Sequence, residues 1–401
     1  MRKAVHLALY GAVEHGPADE LAWQLCQSAP LARLRDISLD SVPSRFVPHS
    51  VPVSRGEHSV AVGYLARLLA DRERDLRPYK QTLVAAGLLH DCGSVPFSHI
   101  AEPFKWGLTR RTHEQEAAEV LAPGGTISRL LADYDVDPAE VLALITGAHP
   151  LPLISGSIDL DNVDNSIHLL VSLGEQNRYY DPLRLLHAFR MLDGEIVLDT
   201  RELPQLLGWR DARAALYRLL YDEPHLSSLA TLYRALEYGF ASGALDESFF
   251  ALDESQALTL LRSGATAETR ALIERLISWR HFPFLWQRPG HDEDERLLAL
   301  YDDWELRKRF TDNLAASLGI RADEFAFHVG RMRGPKQIDL PFVGPDADAA
   351  TVLFAGAPPR QQVALFAPKR HQDRLDPELI ATVVDELADG LPAVAQAHSF
   401  C

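Results

Sequence analysis

His90-Asp91 closes an apolar run, Leu83 to Leu89, and sets an imidazole beside a carboxylate. Upstream, Arg55-Gly56-Glu57-His58 opens a segment with helical spacing; downstream, Ile158-Asp159-Leu160-Asp161 supplies further carboxylates. A histidine, a His-Asp doublet and a distant aspartate can close around one divalent metal ion. Mixed imidazole and carboxylate suit iron, manganese, nickel, zinc or, more weakly, magnesium. A cation held in this way lowers the pKa of bound water and polarises a phosphoryl oxygen, so the chemistry that the residues point to is hydrolysis. A lone His-Asp dipeptide arises by chance and carries little; the ordered set carries the reading.

The same blocks resemble the HD-domain metal-dependent phosphohydrolases, most closely their deoxynucleoside-triphosphate triphosphohydrolase branch. Arg55 to Val60 resembles the branch's R-F-E-H-S element, and His90 to His99 its H-D-x-G-H-G-P-F-S-H element. Thr112-His113-Glu114-Gln115 resembles a T-H-E-x box, and Ile158 to Asp161 an I-D-x-D element. The matching blocks span about residues 30–170, with fainter similarity to about 235. The resemblance implies His58, His90, Asp91 and Asp161 as metal ligands; Asp159 and Asp164 flank Asp161, and Asp159 could hold a histidine lying behind the ligands.

Beyond the metal, His99, Glu102 and His113 could form an acid–base group, since an imidazole titrating near neutrality can protonate a leaving alkoxide and a carboxylate can orient it. The bland alternative for His113 is a helix-start residue. Arg55 could grip a phosphate bidentately or form a salt bridge to Glu57 or Asp36. Arg33 and Arg35 read as structural, Arg110 and Arg111 as either phosphate contacts or a solvated loop, and Cys92 as packed. Three departures from the resembled pattern fall on expected substrate contacts: Ser94 stands for a histidine, and Asn162 and Asn165 for a lysine and a tyrosine. The acidic pair Asp222-Glu223 stands near a lost basic pair. These changes remove charged partners for phosphate, so weak turnover of standard deoxynucleoside triphosphates is expected.

Elements must position these groups. The first 330 residues read as predominantly helical. Val62, Leu65, Leu68 and Leu69 recur at helical spacing after His58. Thr112 to Gln115 fits a capping box. Asp137-Pro138 and Asp181-Pro182 read as helix starts, the second opening a helix from Leu183 to Met191. Gly93 to Pro103 reads as an active-site loop. Asp193-Gly194 reads as a turn before a short strand at Ile196 to Leu198. Helices follow near 209–221, 226–238, 254–263 and 266–279. Pro283, Pro289 and Gly290 interrupt the pattern before the acidic loop 291–295. After Phe327, short strands are expected at 338–340, 351–354 and 363–366, then a closing helix from Asp376-Pro377 through Leu387. The expected architecture is mainly α: an HD-domain core at 1–240, a helical extension at 241–330 and a small C-terminal α+β appendage at 331–401.

Composition bounds the partners. The 401 residues are 47% hydrophobic and 24% charged, with formal net charge −16. That field opposes binding to nucleic acid or an anionic membrane. Three cysteines, Cys26, Cys92 and Cys401, are too few for a disulfide framework. The reading is a cytoplasmic protein taking a nucleotide-like small-molecule substrate, without nucleic acid or membrane partners and with homo-oligomerisation left open. Two other classes compete: a di-iron HD-domain oxygenase drawing extra ligands from His99, His113 or His149, and a catalytically retired nucleotide-binding or regulatory module.

Overall fold

The computed structural model describes residues 3–15, 19–48, 50–176, 178–333, 336–358 and 360–393, with backbone only at Lys3, His15, His113, Glu114, Pro289 and His291. The chain is mainly helical, with three small sheets among the described residues. Two helices carry the first half of the candidate site. Arg55–Arg72 starts where Ser54 Oγ accepts from Glu57 N, a side-chain cap that places His58 in the opening turn. Lys80–Leu89 ends at His90. These helices cross with their backbones in contact. A Cβ on Gly87 would lie 2.9 Å from Gly63 N, and one on Gly63 would lie 2.8 Å from Leu88 Cγ. Two glycines therefore set the interhelical distance at the point where the two histidines must meet.

Around this crossing lies a large aliphatic core that includes Leu65, Leu69, Leu83, Leu89, Leu144, Val163, Ile167 and Trp209. Each fully buried side chain of this kind contributes roughly 1.5–3 kcal/mol. The Leu160–Ser172 helix packs on the Arg55–Arg72 helix, and Leu203–Leu220 packs on Leu160–Ser172 in turn. A second, aromatic core of Phe46, Phe97, Phe104, Tyr233, Phe240 and Phe249 lies under the loop that follows Asp91. A third core joins the Trp304–Ser317 and Pro377–Asp389 helices to the C-terminal sheet.

That sheet runs Phe284–Asp292, Arg360–Phe366, Ala326–Met332 in spatial order, all antiparallel. It draws strands from both sides of residue 331. An N-terminal hairpin pairs Lys3–Leu7 with Gly11–His15, and Phe189–Leu192 pairs with Glu195–Asp199, which takes Phe342–Val343 as a parallel neighbour. Among the described residues no helix is long and apolar enough to cross a membrane.

Most helix starts lie where caps and prolines put them. Thr112 and Gln115 form the capping box, Asp137 caps Pro138–Ile145, and Asp376 caps the closing helix. The hairpin turn at Asp193-Gly194 uses φ of 51° and 87°. Four expectations fail. The segment 351–354 belongs to a helix, Ala347–Leu353, rather than a strand: its apolar residues alternate poorly and Val352 stays exposed. Residues 338–340 form no strand; the parallel bridge falls at Phe342–Val343. The helix after Asp181 stops at Leu185 and the chain turns into strand Phe189–Leu192, because Phe189 is drawn into the core. The Pro- and Gly-interrupted stretch around 283–292 is a bulged strand, tolerated because it lies at a sheet edge.

Candidate metal centre

The Leu160–Ser172 helix starts at Asp159, whose carboxylate accepts from Asn162 N at 2.7 Å and from Gly156 N at 2.8 Å. Asp161 then lies in the first turn, facing the glycine crossing. His58 Nε2 lies 3.0 Å from Asp161 Oδ1 and 3.2 Å from His90 Nε2. His58, His90 and Asp161 form a group with ligand-capable atoms within 4.8 Å of one another. Asp91 borders it, with Oδ2 3.6 Å from His90 Nε2.

The far side of each ring is already committed. His90 Nδ1 donates to Gly87 O at 2.8 Å and His58 Nδ1 to Asp164 Oδ2 at 2.6 Å. Both Nε2 atoms are therefore directed inward, the arrangement that second-shell acceptors impose on ligating histidines. The donor set of two imidazoles and carboxylate fits a divalent cation of the borderline class. Without one, a proton holds the place. Burial alone would push His58 toward its neutral form, but bonds to Asp161 and Asp164 raise its pKa to about 10. Asp161 shows the counterpart: burial raises its pKa, and His58 pulls it down to about 2. A cation bound by these residues would take the place of that proton.

Behind the ligands lies a second layer. Asp164 Oδ1 accepts from Tyr10 Oη at 2.6 Å, and Oδ2 also meets His168 Nδ1 at 2.7 Å. Burial works against the Asp164 carboxylate, yet His168 and His58 hold its pKa well below the ordinary range. His168 Nε2 faces Glu57 Oε1 at 3.8 Å, and the same Glu57 oxygen accepts from Ala8 N at 2.8 Å. The N-terminal hairpin is thereby tied to the back of the site through Tyr10 and Ala8. Asp164, rather than Asp159, holds His58; Asp159 is spent as a helix cap, which corrects the sequence expectation. His168 and Tyr10 were missed altogether. Asp161, Asp164 and His168 stand at i, i+3 and i+7 on one helical face, a legible signal for His168. Tyr10 had none, because its approach depends on where the hairpin docks.

Arg55 makes neither sequence-proposed ion pair. It is buried, with Nη1 donating to Asp91 Oδ1 at 2.6 Å and Nε to Ser98 Oγ at 2.8 Å. Ser94 Oγ donates to the same Asp91 oxygen at 3.3 Å. The loop carrying Ser94 and Ser98 is strained: Phe97 and Ser98 take φ of 62° and 49°. Consecutive left-handed residues cost on the order of 1–3 kcal/mol each. Phe97 is wedged between the rings of Phe46 and Phe249, and Ser98 Oγ also donates to Ser38 O, which holds the conformation in place.

His99 Nδ1 pairs with Glu102 Oε2 at 3.0 Å, the orienting contact expected of them. His113 starts the helix His113–Val120, and its side chain lies outside the described residues. Asn162 bridges Asp159 Oδ1 and Arg213: its Nδ2 donates to the former at 2.7 Å, its Oδ1 accepts from Arg213 Nη1 at 3.0 Å. Asn165 is half-buried one turn beyond Asp161 on the same helix. Arg33 is bonded to carbonyls 250–252, Arg35 to Cys26 O, and Arg111 to Glu116 and Glu119. Cys92 is packed in the core, its thiol pushed up to about 12 by burial. Asp222 caps the Glu223–Ala241 helix, and Glu223 accepts from Phe284 N.

Two cations near Asp161 escaped the sequence reading. Arg213 is buried against Trp209 and Tyr217, and its Nε–H has no hydrogen-bond partner among the described residues. Lys336 Nζ donates to Gly156 O at 2.8 Å and feels Asp159, Arg213, Asp161 and Tyr217.

The helical fold and the inward-facing His/Asp group lie in a segment that is similar to a known domain. Residues 55–160 match the family described as HD domain. The chain is distantly similar to the deoxynucleoside triphosphate triphosphohydrolase SAMHD1 homolog of Dictyostelium discoideum, 28% identical over 209 residues, covering 47% of this chain and 40% of that protein. It is 27% identical over 217 residues to the uncharacterized protein YwfO of Bacillus subtilis, covering 51% of this chain and 49% of YwfO. Identity is also 27% over 223 residues to the uncharacterized protein MG461 of Mycoplasma genitalium, covering 50% of this chain and 52% of that protein. The chain thus spans about half the length of these relatives or less.

Proposed function

We propose that the protein is a metal-dependent phosphohydrolase acting on a nucleotide-like phosphoester or phosphoanhydride. The observation that carries this reading is the pair of imidazole Nε2 atoms 3.2 Å apart beside Asp161, with both Nδ1 atoms already spent. His58, His90, Asp91 and Asp161 hold the cation in this proposal. When bound, it supplies Lewis acidity toward a phosphoryl oxygen and lowers the pKa of water beside it.

The protein's own groups do the rest. Arg55 and Ser94 fix the Asp91 carboxylate, so their duty is to position a ligand rather than to touch substrate. Arg213 offers a desolvated Nε–H to an anion, with Asn162 steering the guanidinium and Asn165 lining the same helical face. His99, oriented by Glu102, protonates the leaving oxygen; His113 is the second candidate for that proton. The positive charge that Asn162 lacks is returned by Arg213, which weakens the electrostatic argument against a polyphosphate substrate. The nucleotide-like substrate class is supported by the HD-domain match and by the activity for which the Dictyostelium relative is named.

A metal-by-substrate panel covering nucleoside mono-, di- and triphosphates, with product identification, tests the proposal. Hydrolysis that needs added divalent metal and disappears in His90→Ala supports it; metal-loaded protein inert toward the whole panel overturns it. His99→Ala and His113→Ala should keep their metal while turnover falls about 10²–10⁴-fold for the residue that serves as acid. Loss of metal in either would make that histidine a ligand instead. Among the described residues, neither His99 nor His149 joins a group of candidate metal ligands; a second such group, His58, Asp164 and His168, shares His58 with the first.

A further inference from the structure

The segment after strand Ala326–Met332 leaves the C-terminal sheet and crosses back to the metal-ligand helix. Its start is held where Arg333 N donates to Tyr221 Oη at 2.5 Å, at the end of the helix that bears Arg213 and Tyr217. Its far end is held where Asp339 N donates to Ser157 Oγ at 2.9 Å, in the loop just before Asp159. Between these anchors Lys336 reaches Gly156 O. A C-terminal strap therefore delivers an ammonium to the loop that leads into Asp159 and Asp161.

The charge on Lys336 is incompletely matched. Its hydrogen bond to Gly156 goes to a neutral carbonyl, and among the described residues no carboxylate reaches ion-pair distance of Nζ. Arg213, the nearest like charge, repels it. Burial lowers its pKa, opposed first by Asp159 and then more weakly by Asp161. Arg213 is in a similar condition, with its buried Nε–H unpartnered. Two cations converge beside a group that would bind a divalent metal, and neither has a carboxylate partner of its own. Desolvating an amino group without a counter-ion is costly, so such a pair is stabilised by an arriving anion.

We propose that Lys336 binds a phosphoryl oxygen of the substrate, so that the C-terminal strap and the HD domain together form the anion site. The proposal rests on the phosphohydrolase reading and adds to it the residue that brings the second cation. Lys336 touches substrate in this assignment, and Arg213 holds the opposite side of the same phosphoryl group. The C-terminal region thereby contributes to affinity for substrate, while the metal is held entirely by residues 58–161.

The test is phosphate binding to metal-loaded full-length protein, by calorimetry at fixed ionic strength, for wild type, Lys336→Met and Lys336→Arg. Metal content and thermal midpoint are measured on the same samples. We expect Lys336→Met to keep its metal and midpoint while binding inorganic phosphate about tenfold more weakly, the scale of one charge-assisted hydrogen bond. Lys336→Arg should recover most of the loss. On any substrate that the panel identifies, Lys336→Met should raise KM more than it lowers kcat. Wild-type binding with an unchanged Kd in Lys336→Met overturns the assignment of Lys336 and leaves the phosphohydrolase reading standing. A metal-loaded wild type that binds no phosphate overturns the anion site as a whole. A midpoint that drops in Lys336→Met and is restored in Lys336→Arg, with phosphate affinity equal in all three, makes Lys336 a structural tie.

Discussion

Two buried charged clusters, one around Arg234 and one around His58, solve the same physical problem in opposite ways. Arg234 is almost wholly buried, and its donors are all engaged. Nη1 donates to Glu237 at 2.7 Å, Nη2 to Tyr238 Oη at 3.0 Å and to Asp312, and Nε to Ala322 O. Lys308 closes the far side of Asp312 at 2.7 Å. Donors meet acceptors and nothing is left over. Around His58, Tyr10, Asp164, His168 and Gly87 engage the far side of the rings, although His168 Nε2 itself lacks a hydrogen-bond partner among the described residues, and the centre is open. Two imidazole nitrogens and a carboxylate oxygen point at one another, three acceptors that need a proton or a cation between them. The difference separates a network closed on itself from one whose donor atoms could hold a cation.

The sharpest way to break the comparison is at the centre of the second cluster. Asp161→Ala and Asp91→Ala should each lose metal and hydrolysis together, activity falling to background, with thermal unfolding little changed once wild type is also stripped of metal. Metal content equal to wild type in Asp161→Ala would return the carboxylate role to a neighbour. Arg234→Met tests the other cluster. It leaves Glu237 buried without its partner and should cost roughly 3–5 kcal/mol of stability, read from urea denaturation. Metal stoichiometry should not move, and adding Glu237→Leu should recover much of the loss; a metal defect in Arg234→Met would erase the distinction drawn above.

A smaller effect is expected behind the ligands. Asp164→Ala frees Nδ1 of His58, so metal affinity should fall about 10–100-fold. Competition with a chromogenic chelator measures it, and affinity within twofold of wild type would show that packing alone aims the ring. The smallest effect concerns Glu254, which ties the Ser38 loop by accepting from Ser38 N at 2.9 Å and Ser38 Oγ at 2.7 Å. Burial raises its pKa from the ordinary 4.5 to about 7. Between those values the folded state binds more protons than the unfolded one, so this group's contribution is fully present below about pH 4.5 and is lost as pH rises toward 7. Glu254→Gln should remove that slope, as chemical denaturation across the window would show; an unchanged slope would assign it to another group.

The candidate ligand set was legible because ligation demands particular residue types. His58, the His90-Asp91 doublet and Asp161 can be found in sequence by chemistry and order, and the helices that hold them by capping residues such as Ser54 and Asp159. The C-terminal strands were less legible. The Thr351 to Phe354 run is short and apolar, and such a run does not distinguish strand from helix until packing does. Arg55 shows the same limit at a single residue: a guanidinium suits a phosphate and a carboxylate equally well. The fold resolves the choice by placing Asp91 at 2.6 Å.

By itself the sequence determined which atoms could ligate a metal and which turns would start the helices bearing them, since both follow from local chemistry and spacings of a few residues. Tertiary structure alone decided that Gly63 and Gly87 would let two helices touch, and that Asp164 rather than Asp159 would hold His58. It also decided that Tyr10 would bond Asp164 behind the site, and that Lys336, 175 positions beyond Asp161, would reach Gly156 in the loop before Asp159. Those facts depend on how distant segments pack, and contacts between residues far apart in the chain leave no periodic trace in it.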